Sequence, residues 1–103
     1  MAKSLSPAKA TKEINKLAGD PLGNLSKSPH AEERTILTGD LLYLLKNGFI
    51  YELAEASTRK GFWKYKIEGV MPNSNRLTIT AIIIPDFKTK HIKIVTCYWK
   101  DNN

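Results

Sequence analysis

One cysteine, Cys97, stands in a chain of 103 residues, so no internal disulfide can form, and a reducing compartment is the expectation. The two histidines, His30 and His91, are far from each other in sequence, and neither shares a zinc-ligand spacing with a cysteine. The expectation is therefore no metal and no cofactor. No apolar run approaches the ~20 residues that cross a bilayer, and Met1–Leu5 lacks the apolar stretch of a secretory signal. A cytoplasmic protein with no membrane partner is expected. Glycine-rich phosphate loops, Cys-x-x-Cys, His-Glu-x-x-His and Gly-x-Ser-x-Gly are all missing. Paired carboxylates occur only as Glu32-Glu33, adjacent on a helix and so pointing apart.

What is present is ordinary in amount and uneven in placement. A hydrophobic content of 42% and a charged content of 25% suit a globular chain of one core. Residues 1–27 are expected to form an N-terminal helix and linker, and residues 28–103 a single α+β domain. The net charge is +6, and the excess lies in the second half. Positions 59, 60, 64, 66, 76, 88, 90, 93 and 100 carry Lys or Arg, against Glu68, Asp86 and Asp101. Before residue 58 the two signs cancel. Concentrated positive charge attracts polyanions such as RNA or DNA. An acidic protein partner and a merely solvated surface are the competing readings.

Three stretches alternate with period two and predict a meander of strands. The first runs from Gly61 to Glu68, the second from Arg76 to Ile84, and the third from His91 to Trp99. Pro72-Asn73-Ser74-Asn75 supplies the first turn, and Pro85-Asp86 is expected to end the second strand. A turn centred on Asn73 sets Trp63 opposite Ile83, Tyr65 opposite Ala81 and Ile67 opposite Ile79. Folding back around Lys88 sets Thr96 beside Thr80 and Tyr98 beside Thr78. The first of these registers keeps apolar side chains together. One face then carries Trp63, Tyr65, Ile67, Ile79, Ala81, Val95, Cys97 and Trp99 as core. The other carries Phe62, Ile82, Ile84, Ile92 and Ile94 at one end, with Lys64, Lys66, Arg76, Tyr98 and Lys100 towards the other.

Upstream, Ser6 and Pro7 open a first helix that Gly19 ends, with Ala10, Ile14, Leu17 and Ala18 as a narrow apolar stripe. Asp20–Lys27 reads as a loop. Ser28-Pro29 caps a second helix from His30 to about Leu37, and Thr38-Gly39-Asp40 starts a third, Leu41–Lys46, which stops at Asn47-Gly48. Phe49–Ala54 reads as a short edge strand, and Glu55–Lys60 as a polar crossing. The expected fold is α+β, with N-terminal helices packed on one face of an antiparallel sheet of about four strands.

His30 and Arg34, at i and i+4, share a helix face. Read alone, they are as well explained by a surface histidine and an ion pair to Glu33. Their wider setting carries a resemblance. His30-Ala31-Glu32-Glu33-Arg34, then Asp40-Leu41-Leu42-Tyr43-Leu44-Leu45-Lys46-Asn47-Gly48, then Ile94-Val95-Thr96-Cys97-Tyr98-Trp99 resemble a bacterial domain family of unknown function. Its members open on H-A-x-x-R, continue through a D-V-x-x-V-L-x-x-G helix and close on V-x-T-V/C-Y. The resemblance covers residues 28–101, and Thr35-Ile36-Leu37-Thr38 stands where the family has a second Arg. That family looks related to the RelE/BrnT-like toxins of toxin–antitoxin pairs, many of them small basic ribonucleases.

The resemblance implies a RelE-like sheet and metal-independent endoribonuclease action on mRNA, possible at the ribosome, with an antitoxin protein as partner. In such cleavage the 2′-hydroxyl attacks the adjacent phosphorus. A base takes its proton, cations hold the added phosphate charge, and an acid protonates the leaving oxygen. His30, Arg76 and Tyr98 are the candidate catalytic residues implied here: acid or base, phosphate clamp and base-stacking group. Arg34, Lys60, Lys64, Lys66 and Lys100 are the candidate nucleic-acid contacts. A non-enzymatic module that binds nucleic acid or protein is the alternative function. In that reading the apolar group of Phe62, Ile82, Ile84, Ile92 and Ile94 meets a protein segment.

Overall fold

The computed structural model describes residues 4–20, 24–27, 36, 38–59, 61–71 and 77–100. Along the chain these form α1 (Pro7–Ala18), β1 (Asn24–Lys27), α2 (Thr38–Asn47), β2 (Phe49–Ile50), β3 (Glu55–Ala56), β4 (Trp63–Met71), β5 (Leu77–Asp86) and β6 (His91–Trp99). The expected helix at His30–Leu37 lies outside the described residues, apart from the buried Ile36.

The architecture is α+β in general, but the expected sheet of about four antiparallel strands behind N-terminal helices is overturned. Among the described residues there are six strands, ordered β1-β6-β5-β4-β2, with β3 paired separately to β4. One pairing is parallel, β1 with β6, setting Leu25 beside Ile92 and Lys27 beside Ile94. The helices also alternate with strands, since β1 precedes α2. Two physical reasons account for the miscount. A four-residue strand cannot display alternation, and β1 finds its partner more than sixty residues away. Two-residue β2 and β3 are defined by β4 beside them, through Phe49 with Glu68 and Glu55 with Lys64.

The central meander keeps the expected faces of β4 and β5 with a register two residues further on. Tyr65 lies opposite Ile83, Ile67 opposite Ala81 and Gly69 opposite Ile79. A shift of two preserves which side chains face the core, and it lengthens β4 as far as Met71. β5 extends through Pro85, which pairs with Ile92 beyond the last β5 residue that β4 reaches. There only β6 flanks it, a position where a missing N–H is tolerated.

The third strand departs from expectation in a way that alternation alone could not show. Ile82 pairs with Thr96 but Ile83 pairs with Ile94, so Val95 is an extra residue in a β-bulge. A bulge reverses the parity of the residues before it. Ile92 and Ile94 therefore turn into the core, at 3% and 0% exposure, and Val95 is half-buried. The predicted outer apolar group loses two of its five members, and the predicted core loses Val95.

Both helices close the Tyr65–Ile67 face. Ser6 caps α1 by accepting from the Lys9 N–H at 3.4 Å, with Pro7 in the first turn, as the sequence suggests. Ala10, Ile14 and Leu17 of α1 and Leu41, Leu44 and Leu45 of α2 are buried with Ile67, Ile79, Ala81, Ile83 and Cys97 in one cluster. The Tyr65 hydroxyl accepts from the Leu5 N–H at 3.0 Å and holds the entry to α1. At the far end Lys90 Nζ reaches Asp20 Oδ2 at 2.9 Å, tying the β5–β6 turn to the chain leaving α1.

Candidate functional site

The face of the sheet away from the helices is the open one. β4 presents Lys64, Lys66, Glu68 and Val70 there, β5 presents Thr78, Thr80 and Ile82, and β6 presents Thr96 and Tyr98, with Lys100 just past its end. β2 adds Phe49, 55% exposed, because its ladder partner is Glu68; Ile50, paired with Ile67, turns inward. Two residues on, Tyr51 follows Phe49, with ring centroids 6.2 Å apart.

Four of the eight sequence-predicted site residues fall in the described structure, and all four share this face. Lys64 and Lys66 lie on β4, Tyr98 on β6, and Lys100 immediately after it. The other four, His30, Arg34, Lys60 and Arg76, lie outside the described residues.

The lysines do not form a purely positive patch. Lys66 Nζ is 3.5 Å from Glu52 Oε2, and Lys100 Nζ is 3.1 Å from Glu68 Oε1. Lys64 lies opposite Glu55 across the β3–β4 ladder. These three glutamates had no place among the predicted site residues. Glu68 is the most constrained of them. Its side chain is 15% exposed, and its second oxygen, Oε2, accepts from Thr80 Oγ1 at 3.1 Å. Thr80 is fully buried at the centre of the sheet. A carboxylate held between a cation and a buried hydroxyl has a fixed direction, and fixed direction is what recognition requires.

The signal for Glu68 was present in the sequence as the one acid at a position where Lys64 and Lys66 lead along the same strand face. The aromatic residues were harder to find. Tyr43 belongs to α2, Phe49 to a strand two residues long and Tyr51 follows that strand, so only the fold brings them to β4.

These side chains bound a continuous groove. One part, a cleft of about 370 Å³, lies between Tyr43 and Asn47 at the end of α2, Phe49 and Tyr51, and Glu68, Thr78 and Lys100. It continues over Lys66 and Glu52, then past Lys64 and Leu53 to Ile82. The volume lies within the ~300–1,000 Å³ range of small-ligand sites. Gly48 and Gly69 form part of the cleft lining, and their close backbone approach brings the end of α2 against β4. Chemically, the groove offers stacking surfaces, three ammonium groups and one oriented carboxylate. Among the described residues no helix is long and apolar enough to cross a membrane. Comparison of the chain with protein-family models, curated proteins and solved structures gave no match.

Proposed function

We propose that the protein binds single-stranded RNA along the open face of its sheet, in the cytoplasm, and that it acts there as a metal-independent ribonuclease toxin of the kind the resemblance implies. The observation that carries the binding is the placement of Lys64, Lys66, Tyr98 and Lys100 on one face, beside the exposed rings of Phe49 and Tyr51. Single-stranded nucleic acid is held by cations that track phosphates and aromatic rings that stack on bases. The groove supplies both within one element spacing of each other. Cleavage draws on Tyr98, on the same face as the lysines, and, by resemblance, on His30 and Arg76. In that reaction the 2′-oxygen forms a bond to phosphorus and the bond from phosphorus to the 5′-oxygen breaks. A base takes the 2′ proton, and an acid gives one to the leaving oxygen.

Leu53, 79% exposed, and Val70, 52% exposed, favour a second reading in which a protein segment such as an antitoxin lies along the same groove. Induced expression in a bacterial host, with growth and total RNA followed together, tests the proposal. Growth arrest with mRNA fragments, lost when Lys64, Lys66, Arg76 and Tyr98 are replaced together, is the expected result. Normal growth with salt-sensitive RNA binding would leave a non-enzymatic module. Binding to RNA that is absent even at low salt would remove the RNA reading and leave the protein-segment reading.

A further inference from the structure

We infer that the cleft at Glu68 is a base-reading pocket selective for guanine. The inference rests on the RNA-binding reading and adds to it the identity of the base.

The argument starts from the order of hydrogen-bonding groups. Lys100 Nζ stands 3.1 Å from Glu68 Oε1, and Thr80 Oγ1 stands 3.1 Å from Oε2. The row Lys100 Nζ, Oε1, Oε2 therefore runs donor, acceptor, acceptor. An ionised carboxylate has about four acceptor positions, and these contacts take one on each oxygen. Among the described residues, one further position on each oxygen remains for a ligand. The Thr80 side is closed by burial, so access is from the cleft.

Among the four bases, the Watson–Crick edge of guanine alone runs acceptor, donor, donor: O6, N1–H and the 2-amino group. Adenine and uracil each present a single donor at that edge. Cytosine turns two acceptors towards the carboxylate and is repelled. A carboxylate paired to a lysine is thus complementary to guanine and poorly matched to the other three. Stacking completes the site. Tyr51 is 67% exposed and Phe49 55%, and both line the cleft. Their rings are too close together to admit a base between them, so the base lies against one outer ring face. Glu68 also gives the pocket its negative group in a basic protein, a feature that phosphate tracking alone does not explain.

The test is fluorescence anisotropy on labelled, 2′-O-methylated oligoribonucleotides, in which attack by the 2′-oxygen is blocked. A uridine-rich strand with one central guanine is compared with strands carrying adenine or inosine there; inosine lacks the 2-amino group. The guanine strand is expected to bind about tenfold tighter than the adenine strand, with inosine between them. Glu68→Gln, which exchanges one acceptor for a donor, is expected to erase that preference, and Tyr51→Ala to weaken all three strands. Circular dichroism checks that each variant is folded. Equal binding of the three strands by the unaltered protein, weakened by salt, overturns the guanine inference and leaves the RNA reading in place. Absence of binding to any strand at low salt overturns the RNA reading itself. Guanine preference that survives in folded Glu68→Gln also overturns the inference.

Discussion

Gly48 has no room for a side chain. A Cβ there would lie 2.5 Å from the Leu44 carbonyl oxygen, 2.8 Å from that of Glu68 and 3.0 Å from Ile67 Cγ1. Two of the three are backbone atoms that cannot turn aside. The sequence reads Gly48 as a helix stop, yet its φ is not positive and the requirement is steric. Gly48→Ala is expected to lose about 3 kcal/mol of stability in urea unfolding. Gly39 makes the contrast: a Cβ there meets nothing within 4 Å. It lies in the first turn of α2, so Gly39→Ala is expected to gain about 0.5 kcal/mol through the unfolded state. Asp86 sets a pH dependence. Desolvation works to raise its pKa, but hydrogen bonds from Thr89 and from the Lys88 N–H, together with the charge of Arg59, outweigh it and hold the carboxyl below its usual value. A folded pKa below the unfolded one means that the contribution is full above the unfolded value, about 3.9, and is lost as pH falls through the folded one. Asp86→Ala is expected to flatten the fall of the thermal midpoint below about pH 4. At this scale the lysines of the groove were legible because strand alternation gives their direction. The role of Glu68 was not, because its meaning depends on Thr80 on β5 and on Lys100 just past the end of β6.

Between elements, two polar side chains of α1 join it to the edge strand β2 and to the end of α2. The Thr11 Oγ1 accepts from the Ile50 N–H at 2.9 Å and donates to the Pro7 carbonyl at 2.8 Å. Asn15 Nδ2 donates to the Leu45 carbonyl at 2.6 Å and to that of Gly48 at 3.4 Å, satisfying acceptors at the end of α2. An exposed edge invites pairing with another chain, and a helix laid along it prevents this. Asn15→Ala leaves those carbonyls without that donor and is expected to cost about 1–2 kcal/mol, read by chemical unfolding. The same change is expected to shift the α2 end and reduce RNA binding, since Asn47 and Gly48 line the cleft. The elements that were legible are the ones whose pattern is long enough to repeat. α1 follows its cap and stripe, α2 its leucines, and β4, β5 and β6 their alternation. β1 and β3 are too short to show a period, and the bulge at Val95 breaks the period in the middle of a strand. The stretch Ile92-Lys93-Ile94-Val95 alternates up to Val95 but carries no mark that its parity changes there; Ile83 and Pro85 across the ladder decide it.

For the whole molecule, the distribution of charge separates encounter from recognition. The net +6 acts at long range on any polyanion. In the groove, however, Lys66 and Lys100 each face a glutamate and Lys64 lies opposite a third. Local neutrality limits how many phosphates the groove itself can hold, so the electrostatic part of binding should be moderate. Single strands release about 0.7 counterion per neutralised phosphate, so the two groove lysines left for phosphate, Lys64 and Lys66, predict a slope of log affinity against log salt of about −1.4. Lys64→Ala is expected to reduce the slope by about 0.7, because that lysine contacts backbone phosphate in this reading. Glu52→Gln, which releases Lys66 from its 67% exposed partner, is expected to steepen the slope by a similar step and to tighten binding at low salt. Neither change should alter the preference among guanine, adenine and inosine, which depends on Glu68. A slope that stays the same in both variants would mean that the charge excess acts from elsewhere, such as Lys9, Lys12 and Lys16 along the exposed side of α1. Base selectivity that moves together with the slope would mean that the carboxylate of Glu68 acts as one more charge in the field and not as a directed pair of acceptors.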